Sequence, residues 1–279
     1  MKFFRTFAVA AVLGAFATTA AHADQLADIK ARGKLVCGTM GTMEPFSFQD
    51  PKTRKTVGYE VDLCQDLADA LGVKLELKLL AVEARIPELV QGRVDILSAA
   101  LGYSDARAQQ IDYSLTSFVS RQMLLVKAKG GVKKLSDIRT KKISAPKGSS
   151  SERYVRSLFP DANLLTFQDP PSAFLALQQS KVSAFVLSEL GLINFRRQAG
   201  SGYDFIKDPV AIEFWGLGVR KGEPAFLAFV NDTLKKMEAS GEGAKVFDRW
   251  FGKSTVYGLE RPFRLDQPVS NPVLNPNKG

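Results

Sequence analysis

The hydrophobic pattern in the first half of the chain switches between strand and helix periods. Residues 73–79 alternate valine or leucine with lysine or glutamate, and this period of two predicts a strand with one buried face. Residues 59–71 instead place four aliphatic side chains on one helical stripe and end at Gly72, which suits the left-handed turn after a helix. The predicted elements are strands over residues 34–39, 73–79 and 94–97 and helices over residues 59–71 and 85–91. This order is typical of a mostly parallel sheet covered by helices.

The same alternation restarts after a segment of apparent connecting strands over residues 111–127. The second series consists of strands over residues 142–145, 164–167 and 182–187 and helices over residues 151–158 and 172–179. A short match supports a repeated plan, since residues 89–94 (LVQGRV) and 177–182 (LQQSKV) each join a helix end to a strand. The pattern therefore predicts an α/β protein with two lobes, each built around a mostly parallel sheet.

The chain then returns to the first lobe. A strand over residues 212–220 precedes two amphipathic helices, and the proline-rich end favours an extended strap or a loose tail. Crossings near residues 119 and 215 predict a two-stranded hinge, which limits motion to opening and closing. The predicted division is lobe 1 over residues 24–119 and 216–254, lobe 2 over residues 120–215, and a tail over residues 255–279.

The first 23 residues have the order of a secretory signal peptide. A basic start precedes an uncharged apolar run from Phe7 to Ala21, and a small-x-small triplet ends at Ala23. A retained membrane anchor is the alternative, but such a run rises only about 22 Å as a helix, against roughly 30 Å of hydrocarbon. We therefore expect cleavage after Ala23, export to the periplasm, and no membrane insertion of the mature chain.

Composition removes several classes of function. The only histidine, His22, lies in the predicted signal peptide, so the mature chain lacks the residue that serine-histidine triads and His-ligated zinc require. No Cys-x-x-Cys motif occurs, and we expect no metal and no cofactor. The formal net charge of +9 falls to +7 without Lys2 and Arg5, and the basic residues form no run of five. This spread favours attraction of anionic solutes over nucleic-acid binding.

The two cysteines leave their redox state open. Cys37 lies on the first predicted strand and Cys64 on the following helix. Export permits a disulfide, but cysteines are also among the most buried residues in their reduced form. Two buried thiols and one bridge are both consistent with the sequence.

A series of short motifs runs through the chain after residue 23. The motifs are Gly38–Thr39 with Pro45–Phe46, residues 57–63 (VGYEVDL), 86–95 (IPELVQGRVD), 104–107 (SDAR), 148–150 (GSS), 216–221 (GLGVRK) and 250–251 (WF). In this order they resemble the bacterial type 3 extracellular solute-binding proteins, the polar amino acid receptors of ABC importers. Residues 85–87 and the tail after Phe251 are most similar to the glutamate/aspartate-binding branch.

The resemblance implies a fold, a ligand class and a partner. The fold is that of type II periplasmic binding proteins, with two lobes joined by a two-stranded hinge. The ligand is a small carboxylate, the partner is an inner-membrane ABC permease, and we expect a monomer.

Arg107 is the candidate ligand clamp. The family places a carboxylate-binding arginine at this position, and a guanidinium presents two parallel donors to a carboxylate. Ser104 caps the start of the same short helix. From the second lobe, the backbone N–H groups of Ser149 and Ser150 are expected to face the same carboxylate. A surface arginine and a plain turn with a cap are the alternatives.

The other candidates are less specific. They are Arg85, Met40, Met43, Phe46, Tyr59, Ala100, Gly102, Ser188 and Glu189. Met43, Phe46 and Tyr59 form either a wall of the ligand site or ordinary core, and core is the preferred interpretation for Tyr59. Arg85 either meets a second ligand carboxylate or pairs with Glu83 or Glu88.

Three positions depart from the family pattern. Met40 and Ser188 stand where amino acid receptors usually carry acidic residues that neutralise the ligand ammonium, and Gly102 replaces a hydroxyl residue. A buried ammonium without a carboxylate costs several kcal/mol, so the ligand is expected to be an organic acid without an α-ammonium, or an amino acid with another partner. The candidate partners are Glu189, Asp169 and Glu44.

Capture of a small carboxylate between closing lobes is the predicted function. Two alternatives share the fold: a periplasmic dehydratase of cyclic acids, in which a glutamate acts as general acid, and a ligand-sensing accessory protein. We expect a binding protein and not an enzyme, because no carboxylate pair is evident in the sequence.

Overall fold

The computed structural model describes residues 24–275, so the predicted signal peptide lies outside the described part of the chain. The helices are α1 (Gln25–Arg32), α2 (Tyr59–Leu71), α3 (Arg85–Val90), α4 (Asp105–Ala108), α5 (Ser150–Leu158), α6 (Pro170–Gln178), α7 (Glu189–Ala199), α8 (Pro224–Ser240) and α9 (Glu242–Phe251). Two short 3₁₀ turns cover Val82–Ala84 and Leu135–Ile138. No helix in this part of the chain is long and apolar enough to span a bilayer.

The strands form one large sheet and one small one. They are β1 (Lys34–Thr39), β2 (Thr42–Met43), β3 (Ser47–Gln49), β4 (Thr56–Val57), β5 (Lys74–Leu79), β6 (Ile96–Leu97), β7 (Ile111–Lys127), β8 (Lys142–Pro146), β9 (Asn163–Phe167), β10 (Ala184–Ser188), β11 (Tyr203–Phe205), β12 (Ala211–Arg220) and β13 (Val273–Leu274). The large sheet has the order β5-β1-β6-β12-β7-β10-β8-β9, and β2-β3-β4 form the small sheet.

Each half of the large sheet has a parallel set of three strands. In the first lobe β1 lies between β5 and β6, and in the second β8 lies between β9 and β10, all parallel. The central strands β7 and β12 run antiparallel to each other, and each is antiparallel to the set beside it, β12 to β6 and β7 to β10. The fold is therefore the expected α/β architecture of two lobes, each with a mostly parallel sheet.

The two central strands form the hinge. The segment expected to contain several connecting strands is one continuous 17-residue strand, β7. The first part of β7 pairs with the second half of β12, which on its other side pairs with β6 of the first lobe. The second part of β7 pairs with β10 of the second lobe. A single pair of strands therefore passes through both lobes, with register shifts around Gly216 near the midpoint.

Apolar burial holds each lobe together, and one disulfide joins two elements of the first lobe. The helical stripe of α2 is buried and ends at Gly72 with φ +70°, as the pattern predicts. Cys37 on β1 and Cys64 on α2 form a disulfide with an S–S distance of 2.01 Å. The structure therefore resolves the two possibilities for the cysteines in favour of the bridge.

Several local expectations differ from the structure. The leucine face of β5 is only partly buried, and Leu79 is 56% exposed, because β5 is the edge strand of the sheet. Helices α1 and α7 and the small sheet were not predicted. Helix α1 nevertheless has capping residues that are typical of helix ends. The Asp24 side chain accepts from the N–H of Leu26, and Gly33 adopts φ +66° after the last turn.

The described part of the tail is an extended strap and not a loose end. Phe263 and Leu265 are buried in the first-lobe core. The N–H of Thr116 on β7 donates to the carbonyl of Gln267, and β13 pairs with the start of β12. The strap therefore runs along the hinge strands.

Candidate functional site

A small cavity lies where the two lobes meet the hinge strands. Its volume is about 30 Å³, room for only a few waters. The lining residues are Met40, Met43, Val82, Arg85 and Ala100 from the first lobe, Gln122, Glu213 and Trp215 from the hinge strands, and Pro146, Ser149, Ser150, Ser151, Pro170, Leu187 and Ser188 from the second lobe. Apolar walls with a few charged and hydroxyl groups are the usual lining of a small-molecule site. Entry of a larger solute requires the lobes to separate.

Arg107 is only 8% exposed and does not itself line this cavity, but it lies behind Ser150, which does. The Ser104 hydroxyl caps α4, as predicted, by accepting from the N–H of Arg107 at 3.4 Å. The guanidinium donates to the Gly102 carbonyl at 2.8 Å, the Ser150 hydroxyl at 3.0 Å and the Gly148 carbonyl at 2.9 Å. Two of these acceptors belong to the second lobe, so Arg107 reaches across the cleft. Burial lowers the pKa of Arg107 from its usual value.

Arg85 lies on the same wall and is 3% exposed. The alternative of a pair with Glu83 or Glu88 is wrong, because those glutamates bind Lys147 and Lys78, respectively. Arg85 instead donates to four backbone carbonyls. They are those of Val82, Ala99, Ala100 and, at 3.3 Å across the cleft, Gly148. Burial and the neighbouring Arg107 charge lower the pKa of Arg85 to about 9, which leaves it cationic at neutral pH.

The turn before α5 brings the second lobe against this wall. Ser149 caps α5, which was the alternative interpretation of this turn, by accepting from the N–H of Glu152 at 3.1 Å. Its own N–H, expected to face the ligand, donates to the Pro146 carbonyl at 3.3 Å. Gly148 has φ +73°, and a Cβ at this position would lie 2.8 Å from the Cα of Glu83 in the first lobe. Glycine at this position therefore permits a close approach of the two backbones across the cleft.

Glu60 is a buried carboxyl group behind Ala100. One oxygen accepts from the N–H of Ala100, and the other has no hydrogen-bond partner within the described residues. Burial raises the pKa of Glu60 to about 7, although the Ala100 N–H and the Arg85 charge oppose the shift. Ala100 has φ +47°, a conformation unusual for alanine, and strained backbone of this kind is common at functional sites.

The hinge supplies a carboxylate that sequence reasoning missed. Glu213 on β12 is 1% exposed and lines the cavity. Its Oε1 accepts from Nε2 of Gln122 at 2.6 Å and Nε1 of Trp215 at 2.7 Å, and its Oε2 accepts from the hydroxyl of Tyr154 at 2.7 Å. Burial and the adjacent Glu213 carboxylate raise the pKa of Tyr154, so its hydroxyl remains a donor. The sequence did contain one signal that could have identified Glu213. It is the single acidic residue in an otherwise apolar predicted strand, and buried carboxylates need specific partners.

The remaining candidates separate into cavity and core. Met40 and Met43 line the cavity, and Phe46 and Tyr59 do not. Phe46 packs behind Trp215, with ring centroids 4.8 Å apart. The hydroxyl of Tyr59 donates to the Ser117 carbonyl at 2.7 Å, in agreement with the preferred core interpretation.

The proposed ammonium partners do not line the cavity. Glu189 forms an ion pair with Arg121 at 3.2 Å. Asp169 caps α6, and Glu44 accepts from Asn194 and from an arginine on α7. Within residues 24–275 no group of three or more histidine, cysteine, aspartate or glutamate side chains is arranged to hold a metal ion.

Two solved structures share the fold along most of the chain. A mutant of ArgBP from T. maritima is 25% identical, with a TM-score of 0.77, and the match covers 81% of this chain and 99% of that one. The ancestral amino acid-binding protein AncCDT-1, a precursor of cyclohexadienyl dehydratase, is 28% identical, with a TM-score of 0.76 and the same coverage.

Curated relatives match over a similar length. The L-cystine-binding protein TcyJ of Escherichia coli is 28% identical over 247 residues, which are 88% of this chain and 92% of the relative. The L-glutamate/L-aspartate-binding protein of Pseudomonas aeruginosa is 27% identical over 285 residues, 97% and 94% of the two chains. The glutamate/aspartate branch is thus one of several that resemble the chain. The model of the bacterial extracellular solute-binding proteins, family 3, matches residues 35–253. The chain therefore belongs to this family of solute-binding proteins.

Proposed function

We propose that the protein is the periplasmic receptor of an ABC importer and captures an amino acid or a related small carboxylate between its lobes. The observation that carries this proposal is the guanidinium of Arg107, which is buried at the cleft and donates to Gly148 and Ser150 of the opposite lobe. A ligand carboxylate replaces the Gly148 carbonyl as acceptor and receives the two parallel donors that it prefers.

Closure couples ligand capture to delivery. Lobe 1 comprises residues 24–119 and 216–254, and lobe 2 comprises residues 120–215. Only the closed form offers a ligand donors from both lobes, so the ligand stabilises that form and the permease receives it. The mature protein begins at Asp24 after cleavage behind Ala23, works as a monomer, and keeps residues 255–275 as a strap on the hinge.

The amino acid class is favoured by the relatives. Their names specify cystine, glutamine, glutamate and aspartate as ligands. The cleft of this chain supplies groups that suit such ligands, namely a cationic donor, hydroxyls and an apolar wall.

Calorimetric titration of the mature protein tests the proposal. The panel contains the common L-amino acids and, for each, the deaminated acid with the same side chain. Binding of at least one compound with micromolar or tighter affinity is expected. Failure of every amino acid and every deaminated acid to bind contradicts the proposal, and mass spectrometry of any co-purifying small molecule then identifies the true class.

A dehydratase of cyclic acids is the second candidate. It is suggested by the similarity to AncCDT-1, which is described as a precursor of such an enzyme but is itself an amino acid-binding protein. Incubation of the purified protein with prephenate or arogenate distinguishes the two functions. Binding without turnover is the expected result, and turnover establishes an enzyme.

A further inference from the structure

The buried carboxylate of Glu213 accepts three hydrogen bonds but forms no direct ion pair with a side chain of the described residues. Its donors, Gln122, Trp215 and Tyr154, are all neutral. The nearby buried cations are the guanidiniums of Arg85 and Arg107, whose pKa values burial lowers and the Glu213 charge acts to raise. A carboxylate accepts about four hydrogen bonds, so one acceptor position on Oε2 remains. A buried carboxylate that lines a ligand cavity and keeps one acceptor position favours a ligand group that is cationic and donates a hydrogen bond.

Gly102 determines which groups share this part of the cavity. A Cβ at residue 102 would collide with Oε2 of Glu213, and it would lie 2.9 Å from Cδ of the same residue and 2.7 Å from the hydroxyl of Ser150. Any side chain here would therefore displace the carboxylate. The hydroxyl residue that the family resemblance implies at this position would therefore not fit beside Glu213 as it is placed here.

Gly102 and Ser150, which adjoin Glu213, also adjoin the Arg107 clamp. Ser150 accepts from Arg107 at 3.0 Å, and the Gly102 carbonyl accepts from the same nitrogen at 2.8 Å. An α-amino acid carries its carboxylate and its ammonium on one carbon, so its receptor needs a cation and an anion separated by only a few ångströms. Arg107 and Glu213, on either side of Gly102 and Ser150, meet that requirement.

Ser188 provides a further acceptor in the same cavity. Its hydroxyl is buried, lines the cavity and has no hydrogen-bond partner within the described residues. An ammonium has three N–H donors and therefore needs more than one acceptor. A carboxylate and a hydroxyl on the cavity wall supply two of them.

We propose that Glu213 binds the α-ammonium of the ligand, and that the ligand is consequently an amino acid and not its deaminated analogue. This inference rests on the proposed capture of a small carboxylate. It replaces the expectation that the loss of acids at positions 40 and 188 leaves an ammonium without a partner, because the hinge supplies the acid from a different element.

The decisive experiment compares two ligands on two proteins. Wild type and Glu213→Gln are titrated with the best-bound L-amino acid and with its deaminated analogue, and unchanged thermal unfolding verifies the fold of the variant. Wild type is expected to prefer the amino acid by 30-fold or more. Glu213→Gln is expected to lose at least 30-fold in affinity for the amino acid and less than threefold for the analogue. Glu189→Gln is the matched control outside the cavity and is expected to behave as wild type.

Equal weakening of both ligands by Glu213→Gln, or no weakening of the amino acid, overturns the inference and assigns Glu213 a structural role. A second measurement does not depend on the variant. The α-hydroxy acid of the same skeleton replaces the ammonium by a neutral group, and wild type is expected to bind it at least 30-fold more weakly than the amino acid. Equal affinity overturns the inference but leaves carboxylate capture intact, whereas failure of all three ligands overturns both.

Discussion

The two charged sides of the cleft are built differently. Arg85 and Arg107 come from the wall of the first lobe and donate across the cleft to the Gly148 carbonyl of the second. Glu213 belongs to a hinge strand, and two of its donors, Gln122 and Trp215, belong to the hinge strands as well. The cross-cleft contacts of the arginines therefore depend on closure, whereas the carboxylate stays positioned when the lobes open.

This difference separates the roles of the two sides. A group that is held at the hinge discriminates between ligands in both the open and the closed forms. A group whose partners lie on the opposite lobe contributes most when the cleft closes, which links affinity to closure. Changes on the arginine side should accordingly alter affinity and closure together.

Replacement of Arg107 should have the largest effect. Arg107→Ala removes the cationic donor from a desolvated carboxylate and is expected to weaken ligand binding by about 2–5 kcal/mol, which is roughly 30-fold or more. Arg107→Lys keeps the charge but loses the two-donor fork, so an intermediate loss is expected. Calorimetry measures both variants. The exposed Arg93, which pairs with Glu88, provides the control Arg93→Ala. Wild-type affinity in Arg107→Ala would remove this residue from the site.

The pH dependence of stability tests whether the buried Glu60 carboxyl group, behind the two arginines, is protonated in the folded protein. Its pKa is about 7 in the folded protein and 4.5 ordinarily, so between these values the folded state retains a proton that the unfolded state has released. The free energy of unfolding should therefore fall as the pH rises from 4.5 to 7, by at most about 3 kcal/mol. Glu60→Gln removes this dependence, because the amide does not titrate.

Urea unfolding of wild type and Glu60→Gln across this pH range measures the difference. Glu76→Gln is the control, because Glu76 is exposed and Lys34 lowers the pKa of its carboxyl group. The control should not flatten the decline above pH 4.5. A parallel pH dependence of wild type and Glu60→Gln would show that folding does not raise the pKa of Glu60.

A substitution at Gly148 tests whether ligand affinity depends on lobe closure, and its expected effect is smaller. Gly148→Ala places a Cβ 2.8 Å from the Cα of Glu83 and should weaken ligand binding by about 1–2 kcal/mol, because the lobes cannot approach as closely. Gly72→Ala is the matched control, since Gly72 has nearly the same φ, +70°, and no atom lies within 4 Å of an added Cβ. The control should lose stability but not affinity. An equal loss of affinity in both variants would argue against a specific effect on closure.

Much of the fold was predictable because hydrophobic periodicity reports burial within single elements. The bounds of β1 and α2 agree with the pattern residue for residue. The three strands of the small sheet were missed because each has only two or three residues, too few for a period to show. The pattern also overstated the burial of β5, because an edge position depends on which strands lie beside it.

The site was predictable where local motifs carry it. Ser104 and Arg107 share one short helix, and Gly148 to Ser150 form one turn, so their local geometry follows from nearby residues. Glu189 shows the limit, because its position next to Ser188 suggested the cleft but its carboxylate pairs with Arg121 on β7.

The sequence by itself determined the alternation of strands and helices, the two-lobed plan and the motif arginine, because these depend on spacing along the chain. Only the tertiary structure decided that Cys37 and Cys64 form a bridge, that Arg85 binds carbonyls and not nearby glutamates, and that Glu213 lies beside Gly102. The physical reason is that each of these contacts joins residues from separate elements. Their distances are set by sheet order and lobe closure, which no local pattern encodes.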